Sequence, residues 1–268
     1  MDRLPSHAVS RSLKIILFVA LSCATREAFA CGVGGGIGPS GMCTWGGAAS
    51  QPAADSASAP VAEDLRWRVA ASYGYSHTII DFSGHTDIDI TRHLALVTTE
   101  YRADARTSIS VTVGGVVAGE TGLGSAGRVD PGIVGAFATS WRVLDQKRWR
   151  PFIVLTGTIA VTSTPIRVVR PATTGTTVTD NSFTALDFRA GISVGGTFWK
   201  IFTPYVAGRL FGGPVFYRID GSDRIGNDRY HFQLGAGALL ALGTHADLFF
   251  EGIPLGEQAL SGGIALHL

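Results

Sequence analysis

An all-β fold, a transmembrane antiparallel up-and-down β-barrel of about ten strands, with eight to twelve compatible, is what the sequence predicts. Three observations predict it. Apolar residues alternate with small or polar ones along successive segments, the connections alternate between short and long, and the tryptophans gather at one set of segment ends. Composition agrees. Charged residues are 16 % of the chain, against roughly 25 % in an average soluble domain, and 35 of its 268 residues are glycine. A net charge of +1, with neither a basic excess nor an acidic tail, gives no basis for a nucleic-acid partner.

Residues 1–30 are expected to be a signal peptide. Arg3, Arg11 and Lys14 form a basic start, Ile15 to Leu21 an apolar run, and Ala28-Phe29-Ala30 an A-x-A cleavage site. Cleavage there leaves Cys31 at the mature N-terminus and Cys43 as the other mature cysteine. Outside the cytoplasm the two can form a disulfide, or Cys31 can carry a lipid. Residues 31–64 are rich in Gly and then in Ala, Ser and Pro, a composition that cannot bury a core. They are expected to be a disordered periplasmic tail, with the barrel spanning 65–268.

Period-2 alternation is the strand signal. It places strands near 65–80, 88–103, 107–119, 129–144, 149–164, 182–199, 201–218, 228–243, 246–252 and 257–268. In the sixth, Leu186, Phe188, Ala190, Ile192 and Val194 alternate with Asp187, Arg189, Gly191 and Ser193. In the third, Ile109, Val111 and Val113 oppose Ser108, Ser110 and Thr112. The connections at 103–107, 144–149, 199–201 and 243–246 are tight. Those at 80–88, 119–129, 164–182 and 218–228 are long and rich in Gly, Ser, Thr, Asp and Arg. A soluble sandwich has no reason to alternate in this way, whereas a barrel with short periplasmic turns and long external loops does. Trp67, Trp141, Trp149 and Trp199 fall beside the tight turns, as an aromatic girdle at one interface requires. Tyr75, Phe216, Tyr217 and Tyr230 fall at the opposite ends.

With its alternation, its girdles and the closing segment "QALSGGIALHL", the chain resembles bacterial outer-membrane β-barrels over 65–268. The resemblance implies residence in the outer membrane, contact with the lipid bilayer and lipopolysaccharide, and recognition by barrel-insertion machinery. The C-terminal signal of the class usually ends in Phe, and here it ends in Leu268. A closed sheet is also what the bilayer demands, because every backbone polar group must be paired internally.

On this phase Arg66, Arg68, Arg142, Asp187, Arg189, Arg209 and Gln233 face the lumen with Ser72, Ser110, Thr112, Ser140, Thr156, Thr158, Ser193 and Ser261, and Glu100 and Arg102 join them on one of the two phases open to the second strand. Arginines outnumber carboxylates in that set. It is either an ion-pair network filling a narrow barrel or a mildly anion-preferring passage for small solutes. The stretch "SHTIIDFSGHTDIDITRH" (76–93) places His77, Asp81, His85, Asp87, Asp89 and His93 on one parity. Ser83-Gly84 makes its middle the first external loop. Ile88 and Ile90 are then expected to face lipid, with Asp87, Asp89 and His93 at the lumen mouth as rim candidates. No fixed metal-ligand spacing is met, and no metal or cofactor is expected.

The leading function is non-enzymatic, a structural barrel or narrow pore. Asp87-Ile88-Asp89 resembles the D-x-D half of the omptin-type surface proteases, which implies a rim hydrolase as the alternative. Asp228 and His231 offer only D-x-x-H for the other half. An adhesin or ligand-binding rim built from the long loops, whose basic segment "RVVRPATTGTTVTDN" (167–181) can meet lipopolysaccharide phosphates, is the third reading.

Overall fold

The computed structural model describes residues 66–82, 87–122, 127–147, 150–172, 175–219 and 222–268. The expectations for the signal peptide, the tail, Cys31, Cys43, His85 and Trp149 therefore lie outside the described residues. The strands are β1 (Trp67–Asp81), β2 (Ile88–Arg102), β3 (Thr107–Thr121), β4 (Gly127–Val129), β5 (Gly132–Leu144), β6 (Phe152–Ala172) and β7 (Gly175–Gly195), continued by β8 (Phe202–Gly212), β9 (Val215–Ile219), β10 (Ser222–Asp228), β11 (Phe232–Ala241), β12 (Ala246–Gly256) and β13 (Gln258–His267). Three pairs are single staves broken by a kink. Asp130-Pro131 separates β4 from β5, Gly213-Pro214 separates β8 from β9, and Arg229 to His231 separate β10 from β11. Proline and glycine interrupt ladders in this way. The staves then number ten, as the alternation predicts.

Every pairing is antiparallel, and the last strand returns to the first. β13 pairs with β1 from Arg68 with His267 to His77 with Gln258. Trp67 and Leu268 exchange backbone hydrogen bonds of 3.2 and 2.8 Å across this seam. The ladder is thus closed, with no free edge at this level. The wall is uneven in height. β12 and β13 turn back at Glu257, and above that turn β10 pairs directly with β1 through Ile80 with Asp228 and Asp81 with Asn227. Ten staves at the turn end thus become eight at the loop end.

Two expected loops are strands. β6 and β7 continue as a paired ribbon to Ala172 with Gly175, and β9 and β10 pair up to Ile219 with Ser222. The Pro and Thr content of 164–182 suggests a loop, yet the ribbon rises above the rim, where a missing proline N–H is tolerated.

The alternation sets two faces. Outside are Val97, Val111, Val113, Phe137, Ile159, Phe188, Val206, Leu210 and Ile264, all exposed. The strands that carry them are buried on the other face. Such a band of exposed apolar side chains on a closed sheet belongs in hydrocarbon, and the molecule is a transmembrane barrel of the outer-membrane type. Trp67, Trp141 and Trp199 stand exposed at the turn end, where the girdle is expected.

Candidate functional site

The interior has two storeys of opposite character. At the turn end and through the middle it is polar and ionic. At the loop end it is an apolar core built from Ile80, Phe82, Ile88, Ile90, Val129, Ile166, Val168, Phe183, Val215 and Tyr217. Tyr217 therefore points inward, against Phe82 and Phe183, and does not join the outer aromatic ring with Tyr75, Phe216 and Tyr230.

The same inversion overturns the expected orientation at the rim. Ile88 and Ile90 are buried inside, while Asp87, Asp89 and His93 face outward. Above the bilayer, at the level of Asp87 and Asp89, the outer face meets water and the inner face becomes an ordinary core, so the polarity rule reverses along a single strand. The parity of the stretch holds, but its sense is opposite. Each outward group has a local partner. Asp87 is held by Arg229, Asp89 lies 3.4 Å from His77, and His93 Nδ1 is 2.8 Å from the Tyr73 hydroxyl. The D-x-D half is thus split between separate partners. Asp228 is buried inside and His231 is exposed, so the other half lies on opposite faces.

Inside, Arg68, Arg142, Asp187, Arg189, Arg209 and Gln233 face the lumen as expected. Arg66 does not. It precedes β1 at the barrel's lower edge and is exposed, with its carbonyl accepting from the Arg102 N–H. The expected arginine excess is also absent. Among the described residues Arg68, Arg92, Arg102, Arg142, Arg189 and Arg209 face Glu100, Asp187, Asp228, Asp247, Glu251 and Glu257, six against six. The interior carboxylates absent from the expected lumen are Asp228 of β10 and those of β12 and its turn. Asp247, Phe249 and Glu251 alternate in phase there, a signal that was available. Arg92 shares the parity of Thr98 and Glu100 and escaped because β2 carries apolar residues on its inner face.

The charges form layers. Nearest the turns, Arg68 lies 3.5 Å from Glu100 and 3.7 Å from Asp247, and His267 Nε2 is 2.6 Å from the same Asp247. Arg142, at the turn end, lies 3.9 Å from Asp145, which also takes Arg106 at 3.2 Å. In the middle Arg209 grips Glu251 with two hydrogen bonds of 2.8 and 2.9 Å, the fork geometry that suits a guanidinium to a carboxylate. Beneath the apolar storey Arg189 binds Asp187, donates to Gln233 Oε1 at 3.3 Å and lies 3.7 Å from Glu257. Glu257 accepts from Thr78 and from Gln233 Nε2 at 2.9 Å, and Arg92 reaches Thr78 at 3.4 Å. Three of the arginines also lie over aromatic rings, Arg68 on Phe249, Arg92 on Phe183 and Arg189 on Phe211, the cation–π arrangement. Arg92 and Glu251 are 0 % exposed.

No protein-family model and no curated relative matches the chain. Several solved outer-membrane structures share its general form. The β domain of the Bordetella autotransporter BrkA is 12 % identical, covering 76 % of this chain and 99 % of that one, at a TM-score of 0.47. The outer-membrane protease OmpT of Escherichia coli is 7 % identical over 79 % and 99 %, at 0.44. The translocator domain of the autotransporter NalP from Neisseria meningitidis is 12 % identical over 78 % and 90 %, at 0.42. Ladder closure and the apolar exterior, not these distant likenesses, define the class.

Proposed function

We propose that the protein is a non-enzymatic structural barrel of the outer membrane, with a lumen occupied by its own ion-pair network and no standing pore. The supporting observation is the balance of interior charge, six cations facing six carboxylates, with Arg68, Arg189 and Arg209 in ion pairs with five of those carboxylates. A passage selective for anions would leave guanidinium groups unspent toward the solute, whereas buried charges that are matched one for one serve the wall itself. The apolar storey above adds a second barrier, since ions do not cross a dry aliphatic constriction. Lipid and lipopolysaccharide outside, and insertion machinery during assembly, are the partners this reading implies. Proteoliposome swelling in arabinose tests it. Vesicles carrying the barrel are expected to swell no faster than empty ones, and faster swelling would return the narrow-pore reading.

The rim-hydrolase alternative gains no support from Asp87 and Asp89, which turn outward to different partners. An assay of surface proteolysis is expected to give the same background for wild type and for the Asp87→Asn/Asp89→Asn variant.

A further inference from the structure

The exterior carries a groove of about 1250 Å³ on the face of β8, β11, β12, β13 and β1. Its row of lateral neighbours runs Val206, Ala236, Gly252, Leu260, Tyr75 and His93 through five successive strand pairings. Ala236 and Gly252 form a low floor between taller neighbours. Gly252 has no local reason to be glycine. It is not among the positive-φ residues, and an added Cβ would meet only Leu260 Cδ1, at 4.0 Å. Glycine inside a strand is destabilising relative to alanine, so what the missing side chain preserves is the open space outside.

The groove is apolar except at one end, where the Tyr73 hydroxyl and His93 Nδ1 are hydrogen-bonded and Tyr75 sits edge-on to the imidazole with centroids 5.1 Å apart. Tyr75 is eight residues above Trp67. At about 3.3 Å per residue and a tilt near 40°, that is about 20 Å above the turn-end girdle, in the outer half of an apolar band about 25 Å tall. A polar tip on an apolar slot, facing hydrocarbon in the outer half, is complementary to an amphiphile. A second copy of the chain fits less well, because a two-fold contact would set two concave surfaces face to face.

We infer that this groove holds an acyl chain of outer-leaflet lipopolysaccharide, with a linkage carbonyl of the lipid at the Tyr73–His93 pair. With the phenol donating to Nδ1, the Nε2–H of His93 is left to donate to that carbonyl. The inference rests on loops-out insertion of the barrel but not on the closed lumen, and its readout is independent of solute passage. The experiment is native mass spectrometry of the full chain in detergent, titrated with lipid A or with phosphatidylglycerol of matched chain length. Wild type is expected to retain a single lipid A and to retain phosphatidylglycerol at least about tenfold more weakly. Gly252→Leu, which fills the floor without touching the backbone, is expected to lose the lipid A adduct. Gly252→Ala is expected to weaken it partly, and Tyr73→Phe with His93→Leu to weaken it several-fold, each with native heat-modifiable migration. Equal retention by wild type and both Gly252 variants, equal retention of the two lipids, or protein dimers in place of lipid adducts would overturn it.

Discussion

Arg209 and Glu251 show what a single interior residue contributes. Their two hydrogen bonds join a guanidinium that is 9 % exposed to a carboxylate that is 0 % exposed. Removing one partner of such a pair typically costs about 3–5 kcal/mol, because a lone charge is left behind. Glu251→Leu is therefore expected to lower the urea midpoint of the refolded barrel strongly, and Arg209→Met/Glu251→Leu to recover much of the loss. A double variant worse than either single one would contradict the pairing. A surface residue behaves differently. Asp104, in the turn between β2 and β3, accepts from the backbone N–H of Arg106 at 2.7 Å and of Thr107 at 2.9 Å, and the Arg106 amide in particular holds its carboxyl below the ordinary carboxylate range. A depressed folded-state value means that the stabilisation is present above the unfolded value near 4 and is lost as pH falls through the folded one. Asp104→Ala is expected to flatten the acid limb of a stability-against-pH curve while leaving the curve's shape above neutrality unchanged.

At the scale of elements, the short hairpin of β12 and β13 fixes the change from ten staves to eight. It turns at Gly256, whose φ is +84° and where a Cβ would overlap the Phe232 carbonyl. Gly243, at +82°, has open space around it. A left-handed backbone costs an L-residue about 1–2 kcal/mol. Gly243→Ala should show that cost alone, and Gly256→Ala distinctly more, measured as the difference in urea midpoint. Equal effects would mean that the hairpin tip is not packed as described. The strand pattern was legible here because alternation survives any change of surroundings. Ile109, Val111 and Val113, or Phe188 and Ile192, point to lipid as their period predicts. The upper hairpins were not legible. Pro165, Pro171 and the Thr-rich residues 175–179 carry loop composition, yet they pair residue for residue.

For the whole molecule, the rule that apolar residues face out holds only as far as the bilayer reaches. Beyond it the rule inverts, which is why Ile88 and Ile90 are inside while Asp87 and Asp89 are outside. The sequence shows the parity of those residues but not the height at which lipid gives way to water. The candidate lumen was legible in its arginines but not in the acids of β12; with Asp247, Glu251 and Glu257 in place the interior charge is balanced, six against six, and the proposed closed lumen rests on that balance. Planar-bilayer recording of the purified barrel tests that conclusion most directly. The packed ionic layers and the apolar storey above them predict a silent membrane at moderate voltage. Regular unitary current steps that scale with the amount of protein inserted would contradict it.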